Sequence, residues 1–198
     1  DKGNTKCEFK HKNDKIFRRF SVSLYEETKG ERYMRKVIGV GETIMDIIFQ
    51  GQQPSAAVPG GSSFNSIISI GRAGLPAVFV GETGQDLVGK RIADFMQENH
   101  VMPDFLNMRT DVKSALSLAF LNANNDAEYL FYKQEPQCSA DAPHPIVSKG
   151  DVIQFGSFYA ISQGTREFMR KFLSYANKED GILYYDLNFR RSHRAELE

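Results

Sequence analysis

From Val37 onward, apolar segments of strand length alternate along the chain with segments whose apolar residues have helical spacing. The strand-like segments are residues 37–40, 76–80, 151–155 and 182–186. The helical segments are residues 64–73, 86–99 and 165–177. Strands that alternate with helices form parallel sheets whose two faces are both covered. The sequence therefore predicts an α/β fold, a doubly wound parallel sheet with helices on both faces.

Two stretches depart from this alternation and predict a second, smaller sheet. Residues 43–49 are a β-prone run, and residues 105–132 contain successive β-type segments without a helix between them. The Asn-Asn-Asp run at residues 124–126 is a turn signal and predicts a hairpin. We expect these stretches to form a small β lid. Residues 50–63, rich in Gly, Pro and Gln, are predicted to be a loop.

Charge is distributed unevenly, although the 198 residues have 25 Lys and Arg against 25 Asp and Glu. Residues 1–33 have a net charge of +3 and little apolar periodicity, and residues 34–198 have a net charge of −3. We interpret residues 1–33 as an N-terminal extension and residues 34–198 as the folded domain; an ordinary N-terminal arm is the alternative. A neutral chain lacks the basic surface typical of nucleic-acid-binding proteins, so no nucleic acid is expected as a partner.

The sequence indicates neither a membrane span nor a disulfide scaffold nor a metal site. No apolar run approaches the ~20 residues of a membrane span, so no membrane association is expected. Cys7 and Cys138 are too few for a disulfide scaffold and lack zinc-site spacing, which favours a reducing cytoplasm. The four histidines are scattered, and no metal site is predicted.

The sharpest local motif is Gly-Gly-Ser-Ser-Phe-Asn at residues 60–65, where a loop meets a predicted helix. Gly60 and Gly61 allow a ligand to approach the backbone closely. The helix N-terminus supplies free N–H groups, and Ser62 or Ser63 is the predicted N-cap. The Asn65 amide has both donor and acceptor atoms for a hydroxylated ligand. The alternative is an ordinary loop before a capped helix.

Two other segments place polar groups beside apolar strands. Asp46 lies in an apolar β-prone run, where a carboxylate needs a partner or a ligand; an edge-strand Asp facing solvent is the alternative. Asp186, Asn188 and Arg190 alternate directly after the apolar strand 182–186. In an extended segment their side chains share a face, and ligands bind beyond the carboxyl ends of such strands. A loop with solvated arginines is the alternative for this second segment.

Six short motifs, in this order and spacing, resemble the PfkB or ribokinase-like family of carbohydrate kinases, most closely its fructokinase branch. They are G-E-x-x-x-D at residues 41–46, G-G-S-S-F-N at 60–65, S-x-G-R-x-G-L-P at 69–76, G-x-T-G-x-D-x-x-G at 81–89, A-x-x-L-A-F-L at 115–121 and D-x-N-F-R at 186–190. A generic binding domain with chance matches is the competing explanation.

The resemblance implies a sugar site, a nucleotide donor and a lid over the sugar. It places the sugar against Asp46, Gly60, Gly61, Asn65, Phe120, Tyr132, Asn188 and Arg190. In this scheme Asp46 binds sugar hydroxyls, Phe120 or Tyr132 packs on the sugar from the lid, and Arg190 stabilises the transferred phosphate. The family transfers the γ-phosphate of ATP to a primary sugar hydroxyl with Mg²⁺, and its lid often forms a homodimer contact.

The sequence departs from the family pattern toward its C-terminus. Family members have, beyond the strand that ends here at Asp186, an N-x-x-E motif and a G-A-G-D motif that holds the catalytic base; neither follows Asp186 in this sequence. Leu187 stands where fructokinase-like members usually have Pro. We therefore expect the base Asp beyond Glu198 and no catalytic activity from these residues alone. A non-catalytic sugar-binding or dimerisation protein is the alternative.

Overall fold

The computed structural model describes residues 25–28, 31–122, 124 and 126–188. The chain divides into two compact units, residues 1–33 and 34–198. At the first unit, strands β1 (Tyr25–Thr28) and β2 (Glu31–Met34) form a two-stranded sheet.

The described part of the second unit contains two further sheets. Its strands are β3 (Val37–Val40), β4 (Ile44–Gln50), β5 (Gln53–Gly60), β6 (Ala77–Gly84), β7 (Leu106–Arg109), β8 (Leu116–Leu121), β9 (Ala127–Tyr132), β10 (Val152–Gly156) and β11 (Ile182–Asp186). Its helices are α1 (Ser62–Arg72), α2 (Leu87–Glu98), α3 (Ser157–Ile161) and α4 (Arg166–Lys178). None of the described helices has the length and apolar character needed to cross a bilayer.

The larger sheet has five strands in the order β11-β10-β3-β6-β7, and every neighbouring pair is parallel. After β3, the chain adds β6 and β7 on one side and later returns to add β10 and β11 on the other. This confirms the predicted doubly wound parallel sheet. The reversal between β3 and β10 creates a switch point, where ligands bind in open α/β sheets.

Each face of this sheet packs on its own core. Ile38, Val40 and Ile153 pack with α4 in one core, whereas Phe79 packs with α1 and α2 in the other. Alternate residues of a strand point to opposite faces, so strands buried on both faces must be apolar throughout. At Gly39 a Cβ atom would collide with the side chain of Ile67, so a glycine is required for α1 to lie this close.

The N-termini of the first two helices differ in how they are capped. The N-cap of α1 is Gly61, without a side-chain hydrogen bond, so the predicted cap at Ser62 or Ser63 is wrong. The N-cap of α2 is Asp86, whose Oδ1 accepts from the N–H groups of Val88 at 3.0 Å and Gly89 at 2.9 Å. The N-terminus of α1 therefore has no acidic side chain, either at its cap or in its first turn.

The smaller sheet is mixed, with the order β5-β4-β8-β9. It contains β4, β8 and β9 from the predicted lid stretches. The predicted loop at residues 50–63 is wrong, because β5 pairs antiparallel with β4 after a tight turn at Gly51, whose φ is +68°. As an edge strand, β5 tolerates prolines that a central strand would exclude.

Residues 105–109 were expected in the lid, and this expectation is also wrong. Strand β7 pairs parallel with β6, Leu106 lying opposite Gly81. The Leu106 side chain packs in the core shared with α1 and α2, which requires β7 to extend the larger sheet.

Candidate functional site

The candidate site lies at the carboxyl end of β3, where the chain passes into the smaller sheet and then into α1. A Cβ atom at Gly61 would collide with the carbonyl oxygen of Glu42, and one at Gly41 would lie 3.0 Å from the Cβ of Ser63. The start of α1 is therefore packed directly against the residues that follow β3. This end of the sheet includes the switch point beside β10.

Asp46 lies on β4, between β5 and β8, with its side chain half-buried. The register places Asp46 opposite Val58 on β5 and opposite Ser117 on β8. Ser117 is fully buried, and its hydroxyl donates a hydrogen bond to Oδ1 of Asp46. The strand is central rather than an edge, so this carboxylate is held by a protein partner at one oxygen.

The other oxygen of Asp46 faces the glycine pair before α1. A Cβ atom at Gly60 would lie 2.5 Å from Oδ2 of Asp46, so any larger residue would displace the carboxylate. Gly61 has a φ of +127°, in the region that favours glycine, and its carbonyl oxygen accepts from the Asn65 N–H at 2.9 Å. The structure thus brings Asp46, Gly60 and Gly61 together, and Asn65 lies exposed one turn into α1.

Asn188 lies at the same edge of the larger sheet, after β11, two strands from β3 and thus about 10 Å away at ordinary strand spacing. The predicted extended alternation after Asp186 is wrong. The Asn188 N–H donates to Oδ1 of Asp186 at 3.2 Å, and Asn188 has a φ of +34°, so the chain turns here. Arg190 lies outside the described residues.

The structure does not bring Phe120 and Tyr132 onto the Asp46 side of the smaller sheet. Phe120 is three residues from Ser117, and it stacks on Phe49 with ring centroids 4.8 Å apart. Tyr132 lies opposite Leu116, the neighbour of Ser117, so both aromatic rings belong to the opposite face.

Phe131 and Tyr129 are the aromatic residues that share the face of Asp46. Phe131 lies opposite Ser117 in the register, and the Tyr129 and Phe131 rings stack 5.8 Å apart. Counting strand parity from Asp46 would have identified them, but only with the β4–β8–β9 register known. The sequence shows the aromatic residues of β9 without showing which of them share a face with the carboxylate.

A charged cluster that the sequence analysis did not single out surrounds a small cavity of about 50 Å³ beside these residues. Lys133 pairs with Glu42 at 2.8 Å, and Arg109 pairs with Glu82 at 3.2 Å and with Asp111 at 2.6 Å. The hydrogen bond to Asp111 raises the pKa of Arg109, helped by Glu82, and Arg109 lowers the pKa of Asp111. The Lys133–Glu42 and Arg109–Glu82 pairs join residues that are 91 and 27 positions apart in sequence, so local motifs do not reveal them.

The Gly-Glu-Thr-Gly-Gln-Asp segment at residues 81–86 spans the end of β6 and the N-cap of α2, and its role is structural. Burial alone would raise the pKa of Asp86, but hydrogen bonds from Ser114 and from the N–H groups of Gly89 and Val88 hold it below its usual value. Asp86 thereby ties the start of α2 to the segment before β8. The described residues contain no group of three or more His, Cys, Asp or Glu side chains that could hold a metal ion.

Comparison with known proteins identifies carbohydrate kinases among the relatives of this chain. A model of the pfkB family of carbohydrate kinases matches residues 34–196. A probable fructokinase-4 of Arabidopsis thaliana is 26% identical over 174 residues, 82% of this chain and 53% of the relative. A fructokinase of Solanum tuberosum is 26% identical over 165 residues, 78% of this chain and 52% of the relative. The chain therefore spans about half the length of the curated relatives it matches.

Solved structures show the same fold. The fructokinase from Vibrio cholerae O395 in its apo form superposes with a TM-score of 0.72 at 20% identity, covering 80% of this chain and 55% of that protein. Aminoimidazole riboside kinase from Salmonella enterica, solved with aminoimidazole riboside and an ATP analog, gives a TM-score of 0.69 at 24% identity, covering 80% of this chain and 52% of that kinase.

Proposed function

This chain belongs to the pfkB family of carbohydrate kinases, and we propose that it forms the sugar-binding half of a fructokinase-like kinase. The observation that carries the proposal is the environment of Asp46. One carboxylate oxygen accepts from buried Ser117, and the other faces Gly60, where a side chain would not fit. A half-buried carboxylate held at one oxygen is well placed to accept hydroxyl hydrogens from a sugar at the other.

The remaining groups of the proposed site would position the sugar and the transferred phosphate. Gly60 and Gly61 let the backbone before α1 pack directly against Asp46 and Glu42, which holds the start of the helix beside the carboxylate. Asn65 offers an amide, and Asn188 with Arg190 is proposed to lie toward the sugar and the transferred phosphate. In a phosphoryl transfer such residues orient the attacking hydroxyl and balance developing negative charge, rather than forming covalent bonds.

ATP and Mg²⁺ are proposed as the phosphoryl donor system of the whole kinase. One structure of the Vibrio cholerae fructokinase contains fructose, ADP and calcium, and the Salmonella kinase was solved with an ATP analog. The described residues of this chain supply no carboxylate or histidine cluster to hold the metal. We therefore assign them only the sugar side of the reaction.

We further propose that these 198 residues do not phosphorylate a sugar unaided. The resemblance assigns the catalytic base to a G-A-G-D motif, and neither that motif nor N-x-x-E follows Asp186 in the sequence. A chain that binds sugar without a base would show affinity and no turnover. ATP-dependent phosphorylation of fructose by the purified chain, followed as ADP release, would contradict this proposal.

A second candidate role is self-association through the smaller sheet, either within the kinase or as a non-catalytic function. Its edge strand β9 exposes between 48% and 60% of each of four large apolar side chains. They are Tyr129, Leu130, Phe131 and Tyr132. An unpaired edge with exposed aromatic residues on both faces favours a second copy of the sheet as partner.

We also propose a cytoplasmic location, because two cysteines are too few for the disulfide scaffold of a secreted domain.

Calorimetric titration of the purified chain with fructose tests the sugar-site proposal. We expect saturable binding that Asp46→Asn weakens by about tenfold or more, since hydrogen bonds to a charged group contribute about 1.5–3 kcal/mol. Asp141→Asn is the matched control, because the Asp141 carboxylate lies in an exposed ion pair with Lys171. Equal fructose affinity in the wild type and Asp46→Asn would remove Asp46 from the site.

A further inference from the structure

Lys133 directly follows β9, and its ammonium lies on the same side of the smaller sheet as Asp46. Phe131 lies opposite Ser117, the hydrogen-bond partner of Asp46, and Lys133 is two residues further along the chain. The Lys133 Nζ is 5.9 Å from the centre of the Phe131 ring. The sugar-site residues named above do not include this lysine, although its charge lies on their face of the sheet.

Two residues at the carboxyl edge of the larger sheet hold this ammonium. The Lys133 Nζ lies 2.9 and 2.8 Å from the two carboxylate oxygens of Glu42, and 5.2 Å from the centre of the Phe158 ring on α3. Glu42 is also the residue whose carbonyl oxygen packs against Gly61. The side chains of the ion pair are 25% and 24% exposed, so water and salt screen the pair less than they screen a surface pair.

The charges around this pair do not favour an anionic ligand. Asp46, Glu42 and Lys133 supply two carboxylates and one ammonium, a formal net charge of −1. The charges that line the small cavity beside them cancel, since three basic residues face three acidic ones. They are Arg109, Lys113 and Lys133, and Glu42, Glu82 and Glu135. An anionic group on a sugar bound at Asp46 would be repelled by both carboxylates, and it could pair with the ammonium only by displacing Glu42.

We propose that Glu42 is a specificity-determining residue of the sugar site: by neutralising Lys133 it favours a neutral sugar over a sugar that has a carboxylate or phosphate group. The inference rests on the proposed function, since it takes Asp46 as the residue that binds the sugar. Hydroxyl groups can donate to the carboxylates and accept from the ammonium, so a neutral sugar does not need to break the pair. The repulsion of the competing ligand supplies the discrimination.

Calorimetric titration of the 198-residue chain with two matched sugars tests this proposal. 2-Keto-D-gluconate has the carbon skeleton of fructose, with a carboxylate in place of one hydroxymethyl group. We expect the wild type to bind fructose more tightly, and Glu42→Gln to shift the ratio of the two dissociation constants at least about tenfold toward the acid, because the ammonium is then available to it. Glu128→Gln is the matched control and should keep the wild-type ratio, because Glu128 is exposed on β9 opposite Phe120, on the other face of the sheet.

A double variant separates the charge of Glu42 from its packing. Glu42→Gln combined with Lys133→Gln lacks the ammonium as well, so its ratio should return to within about threefold of the wild-type ratio. A ratio compares two sugars on the same protein, so partial unfolding of a variant does not mimic the shift. An unchanged ratio in Glu42→Gln, or a shift that persists in the double variant, would overturn the inference while fructose binding still supports the proposed function. Absence of fructose binding in the wild type would overturn both.

Discussion

Ser117, a fully buried residue of β8, donates its hydroxyl hydrogen to Oδ1 of Asp46 on the neighbouring strand β4. The two residues are directly opposite each other in the parallel register. This bond fixes the rotation of the carboxylate, so that Oδ2 rather than Oδ1 faces Gly60.

Ser117→Ala should weaken fructose binding about fivefold to tenfold in calorimetry, because the carboxylate loses its fixed orientation and a hydrogen bond. Ser55→Ala is a suitable control on the same sheet, since its exposed hydroxyl donates to the Ile48 carbonyl at 3.1 Å. We expect that control to keep wild-type affinity. If both alanine variants bind fructose alike, Ser117 has no positioning role.

Gly60→Ala should reduce fructose affinity at least about tenfold, because the added Cβ would displace Oδ2 of Asp46 by steric contact. Gly74→Ala is the control, since a Cβ there meets no atom within 4 Å although φ is +73°. That control should lose about 1 kcal/mol of stability and no affinity. Calorimetry and urea unfolding measure the two effects separately, and unchanged affinity in Gly60→Ala would contradict the close packing.

Asp151→Asn should destabilise the fold by about 3 kcal/mol, the effect of removing one partner from a buried ion pair. Asp151 is fully buried, and its carboxylate accepts from the Lys36 ammonium at 2.5 Å and from the Ser148 N–H at 2.8 Å. Asp94→Asn, which breaks the exposed pair with Lys90, should change stability by at most about 0.5 kcal/mol. Urea unfolding curves of the two variants test this difference, and equal loss would refute it.

Asp86 should make stability depend on pH in the acidic range. Its pKa is lower in the folded chain than in the unfolded one, so its contribution is present above the unfolded value near 3.8 and is lost as pH falls through the folded value. At pH 7, Asp86→Asn should cost about 1 kcal/mol of unfolding free energy, because the amide nitrogen cannot accept the Ser114 N–H that Oδ2 accepts at 2.9 Å. Below about pH 4 the gap from wild type should narrow; a constant gap between pH 7 and pH 3 would argue against this role.

The larger sheet could be predicted from sequence because its strands are apolar throughout and its helices have a regular apolar stripe. The Asp86 cap could also be predicted, since a cap depends on neighbours within three residues. The positions of Phe120 and Tyr132 could not, because which face a side chain occupies depends on a register between strands distant in sequence. Strand β5 was missed because glycines and prolines are typical of loops, and only its pairing with β4 makes it a strand.

The order of strands has a consequence for how the chain folds. β3 lies in the middle of its sheet, yet its neighbour β10 follows it in the sequence only after a long intervening segment. Lys36 and Asp151, which are hydrogen-bonded next to these two strands, are 115 residues apart. During synthesis, β3, β6 and β7 can associate while one side of β3 still lacks a neighbour. Such an open edge is prone to pair with other chains, and closing a long loop slows folding. The amides that join β3 to β10 should therefore gain protection from hydrogen exchange later in refolding than the amides that join β3 to β6.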